Sequence, residues 1–594
     1  MTRNTAADHG STWSEKIESL AATMPAGEAR ALSSLLPAGG SPGSGRDGGA
    51  WRSPVADRER AALAHEPPRP RDDDPHAVRR VGVIGGGTAG YLTALALRAK
   101  RPWLDVTLVE SSAIPVIGVG EATTPPLLAF LHHYLGIDAL DFLKRVKPTW
   151  KLGIKYVWGP HPDGIMGPFD WGANSIGVLG SMATRNDPNA FTLQSLFMLH
   201  DRVPVFRLGD GSYVSLMDDL PFAYHLENRA LVSFLSQIAE ERGIRHVDAQ
   251  IADVRLSGAD WVESLRTTDG RTLDFDLYVD CTGFRSLLLG DALKTRFTSY
   301  ADSLFTDTAV TGYTAQSEAI EPYTTAATMD AGWCWSIPVP DEDHVGYVYS
   351  SAFLTAEQAA EEIVREHGTV GDLKTVRFRV GRHEKTWRGN VVALGNSYAF
   401  VEPLESSSLL MLVFTIMSMM PLLPASWKHP VADETLNRVT AERWDGLRWF
   451  LALHYRYNRR RDTPFWREVW TSADVSGVQP LLDVYAAGAP LHLRDPITRR
   501  LVRAAAPTFY ELDGVDCLLL GQNYPAELVA SAEPLEEWRA RKAAADALVA
   551  RALTQRQALA AYHERPELTE SLVYGPHSWV TGYGAERWLW QSRA

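Results

Sequence analysis

Val81-Gly82-Val83-Ile84-Gly85-Gly86-Gly87-Thr88-Ala89-Gly90-Tyr91 is the stretch on which the reading of the fold turns. A short β-branched run ends in Gly85-x-Gly87-x-x-Gly90, and residues 91–99 then have helical periodicity. Residues 105–109 read as a second strand that ends at Glu110, 20 positions past Gly90. The glycines permit a tight turn and a close approach of backbone to a ligand. The helix N-terminus turns N–H groups and its positive dipole end toward a pyrophosphate. A carboxylate at the end of the second strand reaches ribose hydroxyls. Gly85, Gly87, Thr88, Ala89, Gly90 and Glu110 are therefore expected to bind a dinucleotide.

Two further segments favour FAD over NAD. Residues 276–283 (Asp-Leu-Tyr-Val-Asp-Cys-Thr-Gly) read as a buried strand ending in an acid and a small-residue turn. Residues 391–397 (Val-Val-Ala-Leu-Gly-Asn-Ser) read as another strand and turn, with Gly395 where a flavin ribityl chain would run. A lone fingerprint fits NAD, whereas three strand–turn segments spread along the chain fit a large FAD enzyme. The fold class expected is α/β: a doubly wound, Rossmann-like FAD-binding domain of the two-sheet monooxygenase type, with a mostly helical substrate domain.

The 594 residues carry a net charge of −13, which argues against nucleic acid or an anionic membrane as the main partner. Three separated cysteines make neither a disulfide scaffold nor a zinc or other metal site, and point to a reducing, cytoplasmic protein. Residues 1–13 lack an apolar signal core. The most apolar run, 409–424, is too short to span a membrane and reads as a buried helix. Nineteen tryptophans, as many as the phenylalanines, stand out. Tryptophan serves binding surfaces as well as cores, so some are expected to line an enlarged substrate cleft.

Along the chain, residues 1–78 are rich in Gly, Pro, Arg and Asp and read as a disordered or loosely docked leader, with an amphipathic piece at 13–36 suited to docking as a helix. Residues 79–424 read as the FAD module with substrate-side insertions. Residues 425–594 read as a helical substrate domain and tail, with long helices at 431–457 and 535–563 and an aromatic end, 579–590, that packs down.

Several segments are more specific. They are Ile114-Pro-Val-Ile-Gly118-Val-Gly-Glu121-Ala122-Thr123, Trp150-Lys151-Leu-Gly-Ile-Lys155-Tyr156, Gly332-Trp333-Cys-Trp335-Ser-Ile337-Pro338, Phe378-Arg-Val-Gly-Arg382, Phe400-Val-Glu-Pro-Leu-Glu405-Ser406, and His454-Tyr455 leading to Arg461-Asp-Thr-Pro-Phe-Trp466. Together they resemble the flavin-dependent tryptophan halogenases, in order, over roughly residues 79–525. Trp333-x-Trp335-x-Ile337-Pro338 is the motif that separates these halogenases from related flavin hydroxylases.

The resemblance implies that reduced FAD and oxygen oxidise chloride to hypochlorous acid, which travels through a tunnel to a lysine beside the substrate. That lysine would be Lys151. Burial lowers an amine's pKa, so it can donate a hydrogen bond to the oxidant or form a chloramine. On one continuous strand Lys151 and Lys155 would share a face, so spacing alone does not choose between them. Glu405 would be the carboxylate that stabilises the cationic ring and takes its proton, although it is also placed to cap the next helix. The resemblance assigns chloride to the backbone at Ser407 and Ser408, where the family's usual Thr-Gly is replaced. It adds Gly118, Glu121, Ala122 and Thr123 to the cofactor site. Trp333 and Trp335 are expected to pack beside flavin and tunnel.

The substrate lid corresponds to Phe509-Tyr510, but the Tyr-Tyr and Glu that clamp a free amino acid, and the His-x-Phe of the opposite wall, are missing. Burying an ammonium and a carboxylate without partners costs several kcal/mol. A peptide-borne tryptophan avoids that cost, and the family includes a lantibiotic-modifying member of this kind. The alternatives are a flavin monooxygenase, a halogenase of a free or decorated arene, and a non-catalytic peptide-binding flavoprotein. With no NAD(P)H domain evident, reduced flavin is expected from a separate reductase; a homodimer is compatible with the sequence.

Overall fold

The computed structural model describes residues 12–32, 69–114, 120–170, 187, 189–429, 431–488, 491, 496–506, 512–526, 534–575 and 578–582. Its first layer is a six-stranded sheet. In spatial order the strands are Arg245–Asp248, Asp105–Glu110, Arg80–Ile84, Leu277–Asp280, Val391–Ala393 and Trp387–Arg388. The first five run parallel and the last is antiparallel. The Thr88–Lys100 helix crosses between the first two strands in sequence, and its apolar face is buried. The fingerprint thus sits at the carboxyl ends of parallel strands, where doubly wound sheets bind ligands.

A second, seven-stranded sheet orders Gly371–Arg377, Thr308–Ala315, Glu342–Tyr349, Gly332–Pro338, Thr324–Met329, Gly153–Val157 and Ile165–Pro168. It is antiparallel except where Thr324–Met329 pairs with Gly153–Val157. Trp335 lies opposite Gly346, and a Cβ there would come within 2.0 Å of the indole ring. The missing side chain makes room for the motif tryptophan. This two-sheet architecture agrees with the class expected from sequence.

A small sheet joins Gly120–Ala122, Ala223–Glu227 and Thr149–Lys151. It divides the segment expected to be one strand. Thr149–Lys151 pairs with Ala223–Glu227, whereas Gly153–Val157 enters the large sheet. Lys151 and Lys155 therefore do not share a strand face. Lys151 is fully buried, and Lys155 lies half-buried with its ammonium 5.6 Å from the Tyr323 ring.

The apolar run forms the buried Ser407–Met419 helix, and no described helix is long and apolar enough to cross a membrane. Asp433–Tyr457 is one helix of 25 residues. The expected 535–563 helix is two, Leu535–Val549 and Gln555–Glu564, because Thr554 and Gln557 form a capping box that starts a new helix. Within the segment expected to be a leader, residues 12–32 and 69–78 are described. Its Trp13–Ala21 helix buries Trp13, Ile17 and Leu20 in the main core, and Lys16 bonds Asp218 and Asp219 at 2.6 and 2.7 Å. Of the expected aromatic end, residues 583–590 lie outside the described residues; Trp579 packs down, fully buried against Phe222 with its indole N–H donating to the Met217 carbonyl.

Candidate functional site

The fingerprint glycines open a cavity of about 470 Å³ between the two sheets. Gly85, Gly86, Gly87, Thr88 and Ala89 form one wall, with Glu110, Glu121, Ala122, Trp335, Ile337, Gly395, Ser406 and Ser408 also on it. Gly85 has φ +122°, and a Cβ there would sit 2.2 Å from the Cys281 carbonyl oxygen. A Cβ on Gly90 would fall 1.8 Å from the Gly85 carbonyl, so Gly90 serves the turn and not the cavity wall. Gly86, which the fingerprint leaves as an x, is as constrained: its Cβ would overlap the Glu110 carboxylate at 1.4 Å. Gly87 faces open space.

Glu110 is held by two neighbours, the Tyr91 hydroxyl at 2.8 Å and His246 Nε2 at 2.7 Å. Thr88 donates to Asn228 Oδ1 at 2.9 Å. The Trp335 indole N–H is buried at the cavity edge with no hydrogen-bond partner among the described residues. Open glycine backbone at a helix N-terminus, a carboxylate at the ribose position and an unspent indole donor fit a dinucleotide carrying a flat heterocycle.

Lys151 stands just beyond this cavity. Its ammonium donates to Ser406 Oγ at 2.6 Å and to the Thr123 carbonyl at 3.1 Å, and lies 5.3 Å from the Phe169 ring. Complete burial pulls its pKa down to about 7, against the opposing pull of the Glu405 charge. Thr123, expected on the cofactor, is absent from the cavity wall; its hydroxyl and N–H bond the Tyr224 carbonyl, and its carbonyl holds Lys151. Ser406 belongs to both places, lining the cavity and accepting the lysine. The C-terminal helices brace the lysine strand: Trp150 N–H donates to Gln555, and its ring meets Tyr562 edge-on at 4.7 Å.

Glu405 is also buried, and the N-cap position of the following helix falls to Ser406, one residue on. Ser406 starts that helix in the left-handed region (φ +53°, ψ 33°), with no side-chain cap. This turn aims Glu405 away from the helix, toward the Tyr156 hydroxyl and His454 Nε2, which lies 2.8 Å from Glu405 Oε1. Neither partner is assigned a role by the sequence. Both lie within recognisable segments, but His454 is 49 positions beyond Glu405, on the Asp433–Tyr457 helix, and no local pattern links the two. Ser407 Oγ is buried without a partner among the described residues, and Ser408 lines the cavity, so the helix start offers polar groups to an anion there.

The motif tryptophans divide. Trp333 faces the interior and donates from its indole to Glu402 Oε1 at 3.2 Å; Trp335, Ile337 and the cavity share a wall. Pro338 offers its carbonyl to Thr149 Oγ1 at 2.6 Å, tying the motif strand to the lysine strand. Glu402, fully buried, also accepts from Thr306 and Tyr455, and burial raises its carboxyl to about 7. Gly118, Phe509 and Tyr510 lie outside the described residues. Of the described tryptophans Trp335 lines the cavity, and many others, such as Trp150, Trp158, Trp387 and Trp466, are core residues. Trp171, Trp588 and Trp590 lie outside the described residues.

Comparison with known proteins identifies the family. The tryptophan halogenase family profile matches residues 80–534. Tryptophan 7-halogenase RebH of Lentzea aerocolonigenes is 31% identical over 445 residues, 70% of this chain and 83% of that one. The 7-chloro-L-tryptophan 6-halogenase KtzR of Kutzneria sp. (strain 744) is 34% identical over 446 residues, 69% and 85% of the two chains. The crystal structure of MibH, a lathipeptide tryptophan 5-halogenase, superposes with a TM-score of 0.84 at 56% identity, covering 87% of this chain and 100% of that one. By profile, sequence and structure, this chain belongs to the tryptophan halogenases, a family of flavin-dependent enzymes.

Proposed function

We propose that this enzyme chlorinates the indole of a tryptophan carried within a peptide, with Lys151 directing the oxidant and Glu405 taking the ring proton. FAD, reduced by a separate reductase, supplies with oxygen the oxidation of chloride to hypochlorous acid. Gly85, Gly87, Thr88 and Ala89 hold its pyrophosphate, Glu110 its ribose and Gly395 its ribityl chain, while Trp335 and Ile337 border the flat ring. The helix start at Ser407 and Ser408 holds chloride.

The observation that carries the reading is the position of Ser406. It lines the cavity and accepts the hydrogen bond of a buried lysine that feels the charge of buried Glu405. Hypochlorous acid leaving the cavity passes Ser406 to reach Lys151. With a pKa near 7, the amine donates a hydrogen bond to the oxidant as ammonium, or attacks it as free base. The indole lies within reach of both groups, so Glu405 offsets the charge of the chlorinated ring and removes its proton. The likeness to MibH, named for a lathipeptide, and the missing amino-acid clamp support a peptide substrate.

The test supplies FAD, a flavin reductase, NADH, chloride and tryptophan-containing peptides, and reads the product by mass spectrometry. A one-chlorine mass shift is expected, lost in Lys151→Ala while flavin binding persists. A hydroxylated product without chlorine, or a Lys151→Ala enzyme that chlorinates normally, overturns the reading.

A further inference from the structure

Glu405 is not alone in its pocket. Its Oε1 receives the Tyr156 hydroxyl and faces His454 Nε2 at 2.8 Å. On the other side of the imidazole, Nδ1 lies 3.0 Å from the Phe450 carbonyl, one turn earlier on the same helix. A carbonyl can only accept, so Nδ1 carries a hydrogen. If Nε2 carried none, its lone pair would point at a carboxylate oxygen at hydrogen-bond distance. The contact therefore holds a proton, shared between imidazole and carboxyl. The ring is fixed by edge-on contacts to Trp158 at 5.9 Å and Phe450 at 4.9 Å, and its backbone carbonyl accepts from Gln522.

We propose that His454 is the positioning residue for Glu405: it keeps the shared proton on Nε2, and so leaves Glu405 ionised to receive the proton shed by the chlorinated ring. This rests on the reading that Glu405 faces the substrate. In the step, a ring carbon bonds chlorine as the Cl–O bond of hypochlorous acid breaks, and that electron pair leaves with hydroxide. The C–H bond at the same carbon then breaks, its pair restores the aromatic ring, and the proton passes to Glu405. That proton and the hydroxide leave as water, and the His454 proton stays in place throughout.

Among the described residues, the other titratable neighbours do not supply a lasting cation. Lys151, on the small sheet, is pulled down to about 7 by burial and loses its charge as pH rises through neutrality. Tyr156, on the large sheet, is a neutral donor. The Cys517 thiol, on the Leu512–Gly521 helix, is pushed far up by burial and stays protonated. Glu402, in the loop before Glu405, has Thr306, Tyr455 and Trp333 as its donors. A buried carboxylate deprived of its cation takes a proton at higher pH.

His454→Gln keeps an N–H group toward Glu405 but holds no charge; His454→Phe removes both. Peptide chlorination is measured from about pH 6 to about pH 9, with FAD binding and trapping of hypochlorous acid followed in parallel. In both variants the acid limb of kcat should move up by about one pH unit or more, with KM and hypochlorous acid formation unchanged. A profile superimposable on the unmodified enzyme overturns the inference. If His454→Phe does not fold, His454→Gln decides it. A 15N spectrum of the unmodified protein should also show an imidazolium at neutral pH that is missing from His454→Gln; a neutral imidazole there overturns it as well. Glu405→Gln separates the two levels. If it loses chlorination while His454→Gln is unshifted, only the role of His454 falls. If it chlorinates normally, the reading of Glu405 falls.

Discussion

Lys151 Nζ lies 2.6 Å from Ser406 Oγ, so the last residue of the Thr149–Lys151 strand touches the residue that starts the Ser407–Met419 helix. Ser406 adopts a left-handed backbone there. That conformation is costly for a residue with a side chain, and it turns Glu405 to one side of the chain and Ser407 to the other. One short segment thereby presents a serine to the cavity between the two sheets and a glutamate to the pocket that holds Tyr156 and His454.

The lysine leaves a signature in stability. Its amine binds a proton less tightly in the folded protein, near 7, than at its ordinary value of 10.5. The cost of burying the charge is fully present below about pH 7 and fades as pH rises toward 10.5. Lys151→Met should therefore gain more over the unmodified protein at about pH 6 than at about pH 9.5, by about 3 kcal/mol in denaturant melts. An equal difference at both pH values would show that the amine is not desolvated.

The glycines should separate folding from cofactor binding. Gly90→Ala sets a methyl group against backbone at 1.8 Å, and should lower stability by about 1–3 kcal/mol and weaken FAD binding together. Gly87→Ala meets no protein atom within 4 Å. It should melt like the unmodified apoprotein yet bind FAD less tightly by flavin fluorescence titration. Unchanged FAD affinity in Gly87→Ala would place the pyrophosphate elsewhere.

The motif tryptophans should separate in the same way. Trp333→Phe removes a donor from buried Glu402, and should cost about 2 kcal/mol or more of stability in thermal melts. Trp335→Phe removes an indole N–H with no partner among the described residues, and should instead weaken FAD binding. Equal losses of stability in the two variants would contradict the assignment.

Substrate preference follows from charge. The chain lacks the clamp that pairs the ammonium and carboxylate of a free amino acid, and leaving either unpaired on burial costs several kcal/mol. A tryptophan-containing peptide should exceed free tryptophan in kcat/KM by about tenfold or more, measured by competition in one reaction. Preference for the free amino acid would refute a peptide substrate.

Much of the fold was legible in the sequence because its signals are local. Val81–Gly90 carries strand periodicity, turn glycines and a helix start within a few residues, and the run before Pro424 declares its burial by composition. The leader was legible only in part: the amphipathic piece from Trp13 was visible, but its dock on Asp218 and Asp219 lies 200 residues away. The break at Thr554 was missed because helical propensity continues across it, while a capping box acts through side chains.

By itself the sequence determined the dinucleotide-type fold and the halogenase motif, since each rests on residues adjacent in the chain, whereas spacing left Lys151 and Lys155 equivalent. Tertiary structure decided which lysine is buried, by sending Lys151 and Lys155 into different sheets. It also decided what surrounds Glu405, by carrying Tyr156 and His454 from separate elements to one carboxylate. Burial and proton sharing depend on groups far apart in sequence, and only the packed chain brings them within hydrogen-bond distance.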